Sequence, residues 1–305
     1  MQIFNELRKN EDLSICLGFF DGVHEGHKVV IKNTVNLARQ NGLKSAVVTF
    51  REHPLCYLQN RTPQYILSSE DRISLIEKQG VDYLYMLEFD ENIADLMACD
   101  YLKNVLIDTF SPKFITTGFN HFFGANRQGD AGMLRSYQNT FGYKFFEIPP
   151  ITFNNTLISS TKIRQLISDG MLDGIKKLLG DDFYIKSKVK DGDHIGRTIS
   201  FPTANMDYPQ EIIKIARGVY AAEVEIDKER HMAVVNYGMR PTVTDKKKML
   251  IEAFLLDYNG SLYGKEAKVI FKRKIRNEKK FDSLYELKVQ IAKDADMARD
   301  LLQAK

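Results

Sequence analysis

The 305-residue sequence changes its periodicity near residue 180, and this change restricts the possible folds more than any other feature. Before that point, apolar strand-like runs alternate with amphipathic helical patterns, which are clearest at residues 28–40, 69–78 and 100–109. The predicted strands are residues 13–19, 45–50, 83–87, 113–117 and 143–148. This alternation predicts an α/β domain with a mostly parallel sheet that helices cover on both faces.

Short strands follow one another with little helix between them in the rest of the chain. After two short helices at 160–168 and 172–179, strands are predicted at residues 183–190, 218–226, 231–236, 249–257 and 266–272. This pattern indicates a small antiparallel sandwich or barrel. A last helix follows Ser283, which has capping-box spacing to Glu286 and precedes an apolar stripe from Leu284 to Leu302. We therefore predict two domains, residues 1–180 and 181–305.

Composition narrows the class of protein. With 44% apolar and 27% charged residues and a net charge of +3, the chain is expected to be globular and not to bind nucleic acid. The basic run 272–276 is interpreted as the solvated edge of a strand. Cys16, Cys56 and Cys99 lack disulfide or zinc spacing, which predicts reduced thiols. Without a signal peptide or a membrane-spanning run, a cytoplasmic protein is predicted; the oligomeric state stays open.

Residues 18–27 read Gly-Phe-Phe-Asp-Gly-Val-His-Glu-Gly-His and stand between a predicted strand and a predicted helix. The start of a helix offers unpaired N–H groups and positive dipole potential, both of which favour phosphate. Gly22 and Gly26 allow the backbone to approach an anion closely, and His24 and His27 add donors where charge develops during transfer. The string predicts a nucleotide site.

Two further strings in the first domain support this interpretation. Residues 117–124 follow a strand and contain Asn120, which can bond a base or ribose, and Arg127 follows. An ordinary glycine turn is the alternative. Residues 158–164 read Ile-Ser-Ser-Thr-Lys-Ile-Arg, in which a serine can cap a helix and Arg164 can reach a phosphate as a planar fork.

A second group of candidate site residues lies in the second domain. Thr203 and Asn205, in an extended segment after Pro202, present two neutral oxygens to the same side, which suits a Mg²⁺ that keeps water and phosphate ligands. Glu252 interrupts an apolar stripe and is predicted to act as the general base for an attacking alcohol. A solvent-facing acid on an edge strand is the alternative.

The strings of the first domain resemble the HxGH and ISSTxIR motifs of nucleotidyltransferases, and residues 20–27 are similar to the N-terminal module of bacterial bifunctional riboflavin kinase/FAD synthetases. The resemblance implies a Rossmann-like domain that adenylylates FMN with ATP, using His24, His27 and Arg164 as catalytic residues. It implies a nucleotide site at Gly18, Phe19, Asp21, Gly26, Asn120, Arg127, Ser159, Ser160 and Thr161.

The second domain resembles the riboflavin kinase module of the same family through Pro-Thr-Ala-Asn at 202–205, residues 236–242 and Glu252. This resemblance implies that Glu252 activates the riboflavin 5′-hydroxyl, that Thr203 and Asn205 bind Mg²⁺ and ATP, and that Gly196 and Arg197 contact the nucleotide.

Two positions depart from the family pattern, which commonly has glycine where Ser200 stands and histidine where Phe254 stands. The implied activity is formation of FMN from riboflavin and of FAD from FMN. Two alternatives stay open, a FAD synthetase with a weak or inactive kinase domain and a non-catalytic flavin- or nucleotide-binding regulator.

Overall fold

The structure, a computed structural model, describes residues 1–9, 12–190, 203–240, 248–258, 260 and 262–303. Contacts between Cα atoms divide the chain into two compact units, Met1–Ser160 and Thr161–Lys305. The division falls about twenty residues before the boundary at 180/181, which stays a prediction. The two units are described separately.

The first unit contains a six-stranded, fully parallel sheet. Its strands are β1 Gln2–Phe4, β2 Leu13–Leu17, β3 Lys44–Phe50, β4 Tyr83–Leu87, β5 Pro112–Gly118 and β6 Lys144–Ile148, in the order β1-β4-β3-β2-β5-β6. The five predicted strands and the parallel arrangement are confirmed. β1 was not predicted, because three residues are too few to show a period. A small hairpin, β7 Thr152–Phe153 and β8 Thr156–Leu157, follows the sheet.

Helices connect the strands of the first unit. They are α1 Glu25–Gln40, α2 Leu55–Leu58, α3 Ser69–Glu77, α4 Glu91–Ala94, a helical stretch made of α5 Ala98–Asp100, the π-helical turns Tyr101–Ile107 and α6 Asp108–Phe110, and α7 Ala131–Phe141. The predicted helices at 28–40, 69–78 and 100–109 are confirmed. α7 was not predicted; the Asp130 carboxylate caps it by accepting from the Met133 N–H at 2.9 Å.

The two faces of the sheet are covered by different elements. α1 packs against β2, β3 and β5. The opposite face contributes Ile15, Leu17 and Tyr85 to a cluster that also holds Tyr101 and Leu102 of the π-helical stretch. The sheet is therefore covered as an α/β domain requires, and only the ends of its strands can present a site.

The second unit contains a closed six-stranded barrel. Of the predicted alternatives, a sandwich or a barrel, the structure shows the barrel. After helices α8 Ser160–Ser168 and α9 Ile175–Leu179 come β9 Tyr184–Lys190, β10 Thr203–Asp207, β11 Gly218–Ile226, β12 Glu229–Arg240, β13 Lys248–Leu255 and β14 Glu266–Arg276. The strands pair around the barrel in the order β10-β13-β12-β11-β14-β9, and β9 pairs with β10. Every strand pair is antiparallel.

The basic run 272–276 lies at the end of a barrel strand and pairs with β11 alone, which agrees with its interpretation as a strand edge. These residues end β14, which pairs with β11 and, along its first half, with β9 in the closed barrel. Three of the run's four basic side chains form ion pairs with described residues of the unit: Lys272–Asp182, Lys272–Glu223, Arg273–Asp173 and Arg276–Asp294.

Helix α10, Leu284–Gln303, closes the chain against the outside of the barrel. The Ser283 hydroxyl accepts from the Glu286 N–H at 3.2 Å, which confirms the predicted cap. Ala295 and Ala298 pack against residues of β11 and β12, whereas Leu284 at the start of the predicted stripe is 57% exposed. The contact therefore begins only after the first turns of the helix.

Two expectations about the whole chain can be compared with the structure. Cys16, Cys56 and Cys99 are all free thiols, as predicted. Over the described ranges, none of the helices combines the length and the apolar character that crossing a membrane requires.

Candidate active sites

Two of the predicted nucleotide-binding segments follow the neighbouring strands β2 and β5, at the same edge of the sheet. Leu17 at the end of β2 pairs with Thr117 near the end of β5, so the turns that follow both strands start side by side. From β2 the sheet continues through β3 and β4 in one direction and through β5 and β6 in the other. Ligands of open α/β sheets bind at such a switch point.

The turn that follows β2 adopts an unusual backbone conformation. Phe20, Gly22 and Val23 have φ angles of 59°, 81° and 39°. Left-handed backbone suits glycine, but it is unfavourable for a β-branched valine. The Asp21 carboxylate accepts from the Ile66 N–H at 3.0 Å and is buried. Surrounding structure therefore maintains a turn that its own residues do not favour.

The turn delivers His24 to the start of α1 as its capping residue. The Nδ1 atom of His24 accepts from the His27 N–H at 3.2 Å, and the two imidazole rings stack with their centroids 3.5 Å apart. His24 is buried, whereas His27 is half-buried and touches the edge of Phe20. Because Nδ1 of a neutral His24 accepts, its proton lies on Nε2, which can donate to a phosphate oxygen.

The third predicted string lies against this turn. The Ser160 hydroxyl donates to the Asp21 carbonyl at 3.0 Å. A Cβ placed on Gly26 would stand 3.3 Å from the His24 ring and 3.8 Å from the Ile158 carbonyl. The structure therefore places Ser160 against Asp21 and Ile158 near Gly26, and it leaves little room for a side chain at Gly26.

Helix α8 carries the rest of the string. It begins at Ser160, so Ser159 stands at the capping position, and Thr161 and Arg164 lie within its first five residues. Gly18 follows β2, where a Cβ would come within 2.9 Å of the Phe20 ring.

The loop after β5 is shaped by its own packing. Phe123 and Gly129 exchange two backbone hydrogen bonds of 3.0 and 2.9 Å. A Cβ on Gly124 would lie 2.5 Å from Ala98, and one on Gly129 would lie 2.4 Å from the Phe123 ring. These glycines are thus explained by close packing. Within the same loop Asn120 is exposed, and the Arg127 guanidinium lies 4.3 Å from the centre of the Phe122 ring.

In the barrel, three polar residues form one row across neighbouring strands. Glu252 on β13 pairs with Asn205 on β10 and with Asn236 on β12. The Asn236 side-chain amide donates to the Glu252 carboxylate at 3.3 Å, and Glu252 is half-buried. β13 has a partner on each side, so the alternative of Glu252 on an edge strand is wrong.

Further residues along this face extend the row. Thr203 and Asn205 are two residues apart on β10 and are both half-buried, so they share a face as predicted. Gly238 lies two residues beyond Asn236, and the Glu278 carboxylate occupies the space that a Cβ there would need. Phe254, which replaces the common histidine, packs on the cluster with Ala295 and Ala298. Gly196, Arg197 and Ser200 lie outside the described residues.

Two residues of these sites were not identified from the sequence as functional candidates. Asn236 appeared only within a motif, and its contact with Glu252 depends on the pairing register of β12 and β13. Arg72 on α3 is almost fully buried and donates to carbonyls at the ends of β2 and β3. An arginine at an inward-facing helix position was the available signal for the second residue.

The family models that match this chain also divide it into two parts. A family model for FAD synthetase matches residues 6–162, and one for riboflavin kinase matches residues 179–302. The bifunctional riboflavin kinase/FMN adenylyltransferase of Escherichia coli K12 is 35% identical over 292 residues, covering 95% of this chain and 93% of its own. The protein of that name from Haemophilus influenzae is 34% identical, covering 97% and 96%.

A solved structure agrees with the fold of nearly the whole chain. A Streptococcus pneumoniae crystal structure, described as a macrolide-efflux protein, is 30% identical and matches with a TM-score of 0.89, covering 98% of this chain and 99% of its own. Both family models and the full-length relatives point to one assignment. The chain belongs to the bifunctional riboflavin kinase/FMN adenylyltransferase family.

Proposed function

We propose that this chain phosphorylates riboflavin to FMN in its second unit and adenylylates FMN to FAD in its first unit, with ATP as the donor in both reactions. The observation that carries the proposal is the stacked His24–His27 pair at the start of α1, at the switch point of the sheet. The Asn205–Glu252–Asn236 row in the barrel provides a second, chemically different site. Matches to both family models favour this reading over a synthetase with an inactive kinase or a non-catalytic regulator.

Adenylyl transfer requires alignment and charge stabilisation more than proton removal. A phosphate oxygen of FMN attacks the α-phosphorus of ATP, the bond to the bridging oxygen breaks, and pyrophosphate leaves. The FMN phosphate is already ionised near neutral pH, so the reaction needs no general base. The Nε2 proton of His24 and the donors at the start of α1 support the charge on the transferred group. We assign Arg164 of α8 a phosphate-binding role in the same reaction.

The other residues of the first site bind nucleotide in this proposal. Backbone groups of Gly18, Phe19 and Gly26 approach the ligand, and Ser159, Ser160 and Thr161 act at the start of α8. Asn120 and Arg127 contribute from the loop after β5. Asp21 acts by holding the turn, since its carboxylate is buried against the Ile66 N–H.

Phosphorylation of riboflavin requires an ionised alcohol. Glu252 accepts the proton of the 5′-hydroxyl, the oxygen attacks the γ-phosphorus of ATP, and ADP leaves. The Asn236 amide holds one carboxylate oxygen of Glu252 and leaves the other for the hydroxyl. A half-buried position suits this role, because a fully solvated carboxylate would be held less firmly.

Magnesium is part of the proposal for the barrel. The Thr203 hydroxyl and the Asn205 amide oxygen are hard, neutral ligands on one face of β10, next to Glu252 in the strand register. Such a pair fits an ion that takes its remaining ligands from water and phosphate. When bound there, Mg²⁺ would neutralise charge on the ATP phosphates.

Identification of the products tests both activities. The full chain is incubated with riboflavin, ATP and Mg²⁺, and the flavins are separated by chromatography while pyrophosphate release is measured. We expect FMN followed by FAD, with one pyrophosphate for each FAD. FAD from supplied FMN but no product from riboflavin would identify a synthetase alone. Flavin binding without any turnover would identify a regulator.

A further inference from the structure

The C-terminal ends of β2 and β3 separate just before the histidine turn. The Gly18 N–H donates to the Val48 carbonyl at 3.3 Å, and this is the last backbone hydrogen bond between the two strands. The carbonyls of Phe19, Phe50 and Arg51 then lie beyond the ladder and need other donors. The Thr49 hydroxyl supplies one of them, at 3.2 Å from the Phe19 oxygen.

Arg72 supplies the others from α3. One terminal nitrogen donates to the Phe19 carbonyl at 3.0 Å, and the second donates to the carbonyls of Phe50 and Arg51 at 2.9 and 3.0 Å. The guanidinium carbon also lies 4.2 Å from the centre of the Phe19 ring. A planar fork can bond two diverging strands at once, which a single ammonium group cannot do.

Arg72 and its neighbours surround the strained turn that carries His24. Arg72 holds the turn at Phe19, where it leaves β2. The Asp21 carboxylate holds the Ile66 N–H, and Ile66 in turn packs against Gly22, three residues before α3 begins. Arg72 is only 3% exposed, so its charge is neither a surface feature nor a solvent-facing ligand. Strained backbone of this kind persists only where surrounding contacts determine it.

We propose that Arg72 is a positioning residue for adenylyl transfer: it fixes the separated ends of β2 and β3 and thereby the orientation of the His24–His27 pair. The inference rests on the proposed function of the first unit. It assigns Arg72 no contact with substrate, because its two terminal nitrogens already donate to three carbonyls. Loss of Arg72 should therefore reduce kcat for FAD formation while leaving KM for ATP and FMN nearly unchanged.

The surroundings of Arg72 allow a test by chemical rescue. Arg72 lines a pocket with Phe19, Tyr65 and Leu67 whose empty space of about 230 Å³ includes open solvent. In an Arg72→Ala variant, guanidinium from solution can enter this pocket and donate to the same carbonyls. Methylammonium has one donor group of the wrong geometry and should not replace it.

The experiment measures FAD formation from FMN and FMN formation from riboflavin in the full-length wild type, Arg72→Ala, Arg72→Lys and Arg135→Ala. Arg135 is a matched control, since it forms an exposed ion pair with Glu147 in the same unit. For Arg72→Ala we expect kcat of FAD formation to fall on the order of 100-fold, as expected for a small misplacement of catalytic groups. The kinase activity of Arg72→Ala should be unchanged, and Arg135→Ala should keep both activities. Guanidinium below denaturing concentration should restore FAD formation by Arg72→Ala.

Arg72→Lys addresses the possibility that the alanine variant does not fold. It retains charge and most of the volume, so a folded protein with low kcat and no response to methylammonium supports the inference. Unchanged kcat in Arg72→Ala would overturn it, as would a rise in KM at constant kcat or a loss of kinase activity in parallel. A wild type that forms no FAD would refute the proposed function itself, which distinguishes the two failures.

Discussion

The two candidate sites position their reactive side chains in different ways. In the first unit, His24 depends on a turn with three left-handed residues, on a helix start and on contacts with distant segments. In the barrel, Glu252 depends on the register of three neighbouring strands, because Asn205 and Asn236 lie directly opposite it. A strained turn fixes the first site, whereas regular backbone pairing fixes the second.

This difference matches the chemistry proposed for each site. Adenylyl transfer needs several donors around a developing charge, and a turn followed by a helix start concentrates N–H groups and imidazoles in a small volume. Removal of a hydroxyl proton needs one carboxylate held at a fixed place, which a row across a closed barrel provides. The first site should therefore be sensitive to backbone changes and the second to single side chains.

The largest expected effects come from exchanging one reactive group in each unit. His27→Ala should suppress FAD formation by a factor on the order of 100 or more, since it removes a preorganised donor, and should spare FMN formation.

Glu252→Gln keeps the contact with Asn236 but cannot accept a proton, so FMN formation should fall by a similar factor or more. With FMN supplied, this variant should still form FAD. Both rates are followed by chromatography, and loss of both activities in a folded variant would contradict two separate sites.

A backbone change should affect only the first site. In Gly26→Ala the added Cβ would lie 3.3 Å from the His24 ring, so the ring must shift. We expect about a tenfold loss of kcat for FAD formation from this displacement. Alanine is intrinsically about 1 kcal/mol better than glycine within a helix, so thermal unfolding should not reveal destabilisation that explains the loss. Lys32→Ala, an exposed position of the same helix, is the control; equal rates in both variants would show that the ring tolerates the contact.

Sequence alone predicted five strands in each domain and the helices α1, α3 and α10 because their patterns are local, whereas β1, β10 and α7 were not predicted. The parallel sheet, the barrel, the cap at Ser283 and the turn with its two histidines all follow from spacing within about ten residues. Glu252 was identified as a candidate because an acid in an apolar run is conspicuous.

What the sequence could not supply are contacts between distant segments. Arg72 lies more than fifty positions from Phe19, and Asn236 lies sixteen from Glu252. The ion pairs of the basic run 272–276 are contacts of the same kind, since its acidic partners include Asp173 and Asp294. Helix α7 was not predicted; it begins shortly after Arg127, in a region that was interpreted as a ligand loop.

A smaller effect is expected for the side chain that orients Glu252. Asn236→Ala removes the amide at 3.3 Å from the carboxylate, and we expect kcat of FMN formation to fall about fivefold, because a long hydrogen bond contributes about 1 kcal/mol. Asn236→Ser should recover part of the activity. Arg230→Ala, an exposed ion-pair position on the same strand, serves as the matched control. Equal kinase rates in Asn236→Ala and Arg230→Ala would show that register alone positions Glu252.

The smallest effect concerns stability of the first unit rather than catalysis. Burial lowers the pKa of His121, in the loop after β5, to about 4, and its Nε2 has no hydrogen-bond partner among the described residues. Between pH 6.5 and 4 the unfolded chain therefore takes up a proton that the folded chain does not. The contribution of the neutral His121 to the free energy of unfolding is complete above pH 6.5. It is lost as the pH falls, by about 2 kcal/mol at pH 5. His121→Phe keeps the ring beside Phe123 and cannot be protonated, so its free energy of unfolding should decrease less between pH 7 and 5. Hydrogen exchange of the β5 amides measures this difference separately from the barrel, and identical losses in wild type and variant would remove His121 as the cause.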